Sequence, residues 1–286
     1  MTDFLGYLLT GLGIGAGYAL VASGLVAIYR VTRVVNFAQG AFAVIAAMLT
    51  GTLLAAGLPH GLAELAGLLV AAVTGLLVGM VAIGRSGTEP GTSLIVTLGM
   101  GVFAYAVEIL IWGDQPRSFA GLPGVADVAG ARLQAHYLLI LGVTVPIFLA
   151  MAAFFARTDL GKALSACASN RYAARVVGID VRRMGLLAFA LGGALGGLAG
   201  VLTTPVQQVT FDSDVSLIVN GFAAAILGGL TRPAVALLGG LLLGVVQTLI
   251  AGYGGGAYQL EVALLLMLTV MIVQATRTGQ VQEALR

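Results

Sequence analysis

The stretch 157–183, RTDLGKALSACASNRYAARVVGIDVRR, carries Arg157, Asp159, Lys162, Arg171, Arg175, Asp180, Arg182 and Arg183 between two long apolar runs. It holds six of the chain's 14 basic residues. A charged side chain in hydrocarbon costs about 2.5–3.5 kcal/mol even on the lenient insertion scales, so this stretch lies in water. Its neighbours do not. The stretch is a water-side structure attached to an integral membrane protein, and its basic excess puts it on the cytoplasmic side, where a soluble partner can dock.

Outward from it the chain is nearly all apolar. Of 286 residues 59% are hydrophobic and 9% charged, against roughly 25% charged in a soluble domain, and mean hydropathy is +1.03. The apolar runs last about twenty residues, the length of a helix that crosses a core of roughly 30 Å. Barrel strands would alternate over about ten residues. The expected fold is therefore all-α: a polytopic transmembrane bundle of about 8–10 segments forming a single membrane domain over residues 1–286. The 42 glycines suit close helix contact in lipid. A net charge of +2 without a basic aromatic patch does not argue for nucleic acid, and one cysteine, Cys167, excludes an internal disulfide and a cysteine metal cluster. No metal site is expected. The N-terminus lacks a basic leader and reads as a retained first helix.

Nine apolar segments follow: 4–29, 34–57, 62–84, 93–113, 135–156, 184–204, 215–231, 233–252 and 259–275. With the N-terminus outside, Arg30 and Arg33, Arg85, the 157–183 loop, Arg232, Arg277 and Arg286 fall inside, while the mixed or acidic loops 114–132 and 205–214 fall outside. The segment 215–231 is short, carries Asn220 and is interrupted by glycine, the pattern of a broken or re-entrant helix. Gly192, Gly193, Gly196, Gly197 and Gly200 form rows at four-residue spacing, as do Gly11, Gly13, Gly15 and Gly17. Each row makes a groove for another backbone, serving either a gating or dimer contact or packing within the chain.

Ionisable groups in the apolar segments are Glu64, Glu108 and Glu261. Glu108 is either functional or, lying closely before Gly113 and Asp114, a headgroup-level residue, and Glu261 reads the same way. No acid sits mid-helix beside a base, which argues against a proton relay. His60 and His136 stand at segment ends, and no metal-protease or nucleophile-elbow motif occurs. Lys162 follows Gly161, but Ala156 occupies the place of the first P-loop glycine, so the chain cannot hold ATP in a Walker A loop.

Three stretches resemble the permease subunits of branched-chain amino acid ABC importers. GYALVASGLVAIYRVTRVVNFAQGAFAV (17–44) is similar to that family's first helix and its Asn-Phe-Ala-His-Gly signature, matched at Asn36, Phe37, Ala38 and Gly40, with Gln39 in place of histidine. DLGKALSACASNRYAARVVGIDVRRM (159–184) is similar to its cytoplasmic coupling loop, matched at Gly161, Ala163, Ala166, Asn170, Ala173, Ala174, Gly178 and Ile179. AFALGGALGGLAGVL (188–202) and the run from AAAILGGL to GGLLLG (223–244) follow its late glycine-rich helices. Ser165 and TRPAV (231–235) depart from the pattern.

The resemblance implies an all-α importer subunit in the bacterial cytoplasmic membrane that does no chemistry itself. A homologous or identical permease, two ATPase subunits and an extracytoplasmic binding protein would be its partners. ATP and Mg would be bound by the ATPase, with no cofactor in this chain. Residues 161–179, with Lys162, Arg171 and Arg175, would couple to that motor. The alanines there favour short helices flanked by Gly161 and Gly178; basic anchoring to anionic lipid is the plainer alternative. A neutral solute calls for small, apolar and amide-bearing walls, so Asn36, Phe37, Gln39, Gly40 and Asn220 are the pathway candidates, with helix glue as the rival role for the amides. Branched-chain amino acids are the expected cargo, with urea or short-chain amides as alternatives. A secondary transporter or channel acting without an ATPase is the competing class; a membrane-embedded enzyme lacks any catalytic constellation.

Overall fold

The computed structural model describes residues 2–84, 90–230, 233–254 and 259–284. Arg85, Thr231, Arg232 and Arg286, used in the patterns above, lie outside the described residues. Eleven helices appear among them: α1 Thr2–Thr32, α2 Gln39–Ala55, α3 Leu62–Ile83, α4 Pro90–Trp112, α5 Ala135–Arg157, α6 Asp159–Ser169, α7 Arg171–Val176, α8 Val181–Thr203, α9 Ser213–Leu227, α10 Pro233–Gly254 and α11 Gln259–Ala284. Six are long and apolar enough to span a membrane, and three shorter apolar helices, 39–55, 213–227 and 261–273, accompany them. Each of the nine expected segments overlaps one of these. The all-α class holds.

Local chemistry sets the ends. Pro90 and Pro233 open α4 and α10, positions where a missing N–H breaks no helical bond. Thr158, Asn170 and Asp180 cap α6, α7 and α8, accepting from Gly161 N–H, Ala173 N–H and Arg183 N–H at 3.0, 3.0 and 3.1 Å.

Two features depart from expectation. Residues 34–57 do not form one helix. Arg33 ends α1 with φ +57, residues 33–36 carry no helix, and α2 begins only at Gln39. Asn36 Oδ1 accepts from Ala38 N–H at 3.1 Å, and Thr97 Oγ1 bonds Val35 O and Phe37 N–H at 3.1 and 3.3 Å. These bonds satisfy backbone that a helix would otherwise satisfy, which is what permits irregular chain inside a bundle. The second departure is a small outer hairpin, β1 Val125–Val128 and β2 Ala131–Gln134, paired antiparallel with Asp127 opposite Arg132. Its turn residues Ala129 and Gly130 have φ +53 and +87, as a tight hairpin requires, and Gly130 N–H donates to Asp127 Oδ1 at 2.9 Å.

α1 and α8 are the most buried of the spans. α1 runs antiparallel to α10: Ser23 Oγ donates to Pro233 O at 3.1 Å, Gly240 meets Ala19, Gly244 meets Gly15 and Gly11, and the Tyr7 and Tyr253 rings stand 5.4 Å apart. α3 runs antiparallel to α8, with Gly75 against Gly193, Gly79 against Phe189 and Ile83 against Gly185. The glycine rows of α1 and α8 are therefore spent on packing within the chain. Gly192 faces Ile28, Gly193 and Gly197 face Ala71, Gly196 faces Phe42, and Gly200 faces the Ala43 carbonyl.

α9 is short. Its 15 residues extend about 22 Å, less than the hydrocarbon core. It lies antiparallel to α10, and the two meet beside Ser23, about 13 Å of helix before the end of α1. Since α10 then returns toward Tyr7, α11 starts at the outer end and the chain leaves toward the basic side.

Candidate functional site

At the basic end α6 and α7 form a bent arm. Gly161 lets α6 fold back on α5, since a Cβ there would overlap Phe154 O and fall 2.7 Å from Phe155 Cα. Leu164, Cys167 and Ala174 are buried with Val31, Val181 and Ala188, and Phe154, Phe155, Ile179, Met184 and Leu187 pack around them. Burial pushes the Cys167 thiol pKa up. Arg171 donates through Nε and Nη2 to Val31 O at 2.8 and 2.7 Å, and Arg33 Nη2 donates to Ala168 O at 3.3 Å. Burial first, then the nearby Arg33 and Arg175 charges, lower the Arg171 pKa; a guanidinium remains charged regardless. α7 ends at Gly178, φ +87, where Ile179 N–H reaches Ala174 O at 2.9 Å. The arm is thus fixed to α1, α5 and α8 together.

The coupling residues divide into two sets. Gly161, Arg171, Ala174 and Ile179 face the bundle, with Ala163 and Ala166 half-buried between. Lys162, Asn170, Ala173, Arg175 and Gly178 are exposed. Arg171 therefore positions the arm rather than facing outward. Arg171→Ala is expected to lower stability by about 2 kcal/mol, the loss of a charge-assisted bond to a carbonyl, whereas Arg175→Ala stays within about 0.5 kcal/mol. Thermal unfolding of the two variants in detergent measures the contrast, and equal melting temperatures would contradict the placement. Sequence reasoning missed Tyr172, Val176 and Val177, which are 78, 70 and 73% exposed around α7. Two large apolar side chains on six helical residues in water, with a third at the cap, were the available signal.

The pathway candidates gather around the break before α2. Asn36 and Gln39 are fully buried. Asn36 Nδ2 donates to Gln39 Oε1 at 3.2 Å, and Gln39 Nε2 donates to Gly192 O at 2.8 Å between Gly24 and Gly196. In this conformation both amides tie helices together, the role their chemistry also allowed. Gly40 lies against the Asp214 backbone, where a Cβ would fall 2.9 Å from Asp214 Cα. Phe37 is half-buried, its ring 6.4 Å from that of Phe222. Asn220 sits apart on α9, accepting from Gln247 Nε2 at 2.7 Å and donating to Ser216 O at 2.9 Å. The structure brings Phe37 and Gly40 to α9 but keeps Asn36 and Gln39 behind them. Thr97 and Gln247, which complete these bonds, carried no sequence signal beyond polarity in an apolar run.

Glu108 is 0% exposed, buried within the bundle in the last turns of α4. Glu261 is exposed at the start of α11, and Glu64 stays at the outer edge of α3 beside His60 at 2.8 Å. His136 closes the outer end of α8, accepting at Nδ1 from Leu122 N–H at 3.0 Å, with Nε2 2.8 Å from Leu202 O.

A multi-helix membrane bundle with a helical arm rigidly mounted on its basic end is the architecture of a transport permease. Over residues 7–275 the sequence matches the family described as branched-chain amino acid transport system / permease component, and the chain belongs to that family. It is 29% identical to the high-affinity branched-chain amino acid transport system permease protein BraD of Pseudomonas aeruginosa, over 96% of this chain and 94% of the relative. Identity to the corresponding permease protein LivH of Escherichia coli is 29%, again over 96% and 94%. The fold is shared with a chain of PsaBC from Streptococcus pneumoniae in complex with Fab, at TM-score 0.53 and 16% identity, covering 92% of this chain and 90% of that one. The chain is a multi-pass permease component of the cytoplasmic membrane, a transport subunit rather than an enzyme.

Proposed function

We propose that the chain is the membrane-spanning subunit of an ATP-driven importer for a branched-chain amino acid or a close chemical relative. A separate ATPase binds ATP and Mg and docks on α6 and α7; a second permease, identical or homologous, completes the channel; an extracytoplasmic binding protein delivers solute to the outer loops. The observation that carries this reading is the arm. α7 offers Tyr172, Val176 and Val177 to water while Arg171, Gly161 and the buried Leu164 and Cys167 weld it to three spans. Force applied to α7 therefore reaches α1, α5 and α8 as rigid-body motion, the means by which a packed bundle switches between two arrangements. Anchoring to anionic lipid would account for the exposed Lys162 and Arg175 but gives no use to the buried Gly161, Leu164, Cys167 and Ala174 that fix the arm to the spans.

The test is reconstitution with a cognate ATPase and binding protein. Leucine uptake into vesicles is expected to require internal ATP and the binding protein. Uptake by this chain alone, driven by an ion gradient, would overturn the proposal.

A further inference from the structure

Glu108 has neither carboxylate oxygen hydrogen-bonded and no exposed surface. It belongs to the face of α4 that carries Thr97, Gly101, Tyr105 and Trp112 at three- and four-residue spacing. Thr97 and Gly101 touch residues 35–38, Tyr105 packs on Phe211 with ring centroids 5.1 Å apart, and Trp112 Nε1 donates to Thr52 Oγ1 at 2.9 Å. That face looks into the junction of the helix break, α2 and the segment leading into α9. Asp214, half-buried in the first turn of α9, is the charged neighbour of Glu108 there. It accepts from Val215 N–H at 2.6 Å, and its backbone rests on Gly40.

Among the described residues the surroundings supply no counter-charge. Neither α2, α3 nor residues 203–227 contain lysine or arginine. Arg117, the base that follows α4, donates to Trp112 O at 3.2 Å and has its backbone paired with Val209 at the outer end. Two carboxylates side by side, one fully buried and one half-buried, are an expensive arrangement that is relieved by protonating one of them or by placing a cation between them, and low local dielectric strengthens the second solution. A hard metal ion demands six or more oxygens, and no group of three His, Cys, Asp or Glu suited to a metal occurs among the described residues. An alkylammonium asks less: three N–H donors that two carboxylates can accept.

We propose that Glu108 and Asp214 form a binding site for the primary ammonium group of the permeant, between the outer loops and the centre of the bundle. The inference rests on the importer reading above and adds to it the chemical feature that this subunit itself recognises. Val215 and Ser216, exposed beside Asp214, mark the side from which the ammonium group arrives.

Infrared difference spectra of the purified chain in lipid nanodiscs test the site directly, comparing isopentylammonium chloride with sodium isovalerate at equal ionic strength. The amine alone is expected to shift carboxyl bands, and the shift is lost in Glu108→Gln and weakened in Asp214→Asn. In vesicles with the complete transporter, Glu108→Gln is expected to cut leucine uptake about tenfold or more while ATP hydrolysis persists. Carboxyl bands that ignore the amine and respond only to proton concentration would overturn the proposal, as would unaltered uptake by both variants. The spectra need no ATPase, so they report on the site even if ATP-driven uptake by the unaltered chain fails, an outcome that counts against the importer reading alone.

Discussion

Gly200→Ala is expected to remove about 3 kcal/mol of stability, because the added Cβ would overlap the Ala43 carbonyl where α8 crosses α2. Backbone, unlike the end of a flexible side chain, cannot step aside, so the two helices must separate along their contact. Gly142→Ala is the control. Nothing lies within 4 Å of a Cβ at Gly142, and alanine is the better helix former, so that change is expected to be neutral or to stabilise by up to about 1 kcal/mol. Thermal unfolding of both variants in the same detergent decides the matter. Comparable losses would mean that the α2–α8 contact is not where stability resides.

The second large effect falls on function. Tyr172→Ala combined with Val176→Asp is expected to reduce ATP-driven uptake by about thirtyfold, the loss of an interface hot spot worth about 2 kcal/mol. Both side chains point into water, so the melting temperature of the isolated chain should hardly move. Co-purification with the ATPase should weaken in parallel. Retained ATPase binding with full uptake would show that α7 is not the docking element. Arg171 offers the opposite signature: its loss loosens the arm on α1 and lowers melting temperature along with uptake.

Several elements were readable from residues alone. The charge pattern placed 157–183 at one end with Arg30 and Arg33, and the bonds from Arg171 to Val31 O and from Arg33 to Ala168 O put them together there. The short, glycine-interrupted 215–231 segment foretold α9. Other features were hidden for definite reasons. The run RVVNFAQ is apolar enough to look helical, and its break depends on Thr97, some sixty positions on, taking up the freed backbone. Glu108 is close to a segment end in sequence, but the 205–214 segment folds over that end and buries it. The outer hairpin turns on Ala-Gly rather than Asn-Gly, a weak signal.

By itself the sequence determined the all-α membrane class and the places of the apolar segments, because transfer of charge and apolar surface between water and lipid is a local property of each stretch. It also determined family, through motifs that survive in order along the chain. Which glycine meets which backbone, whether an amide lines a path or ties helices, and that Arg171 turns inward while Tyr172 turns outward were decided only by the tertiary structure. Those outcomes depend on what lies opposite a side chain across a helix contact, and residues far apart in the chain supply it.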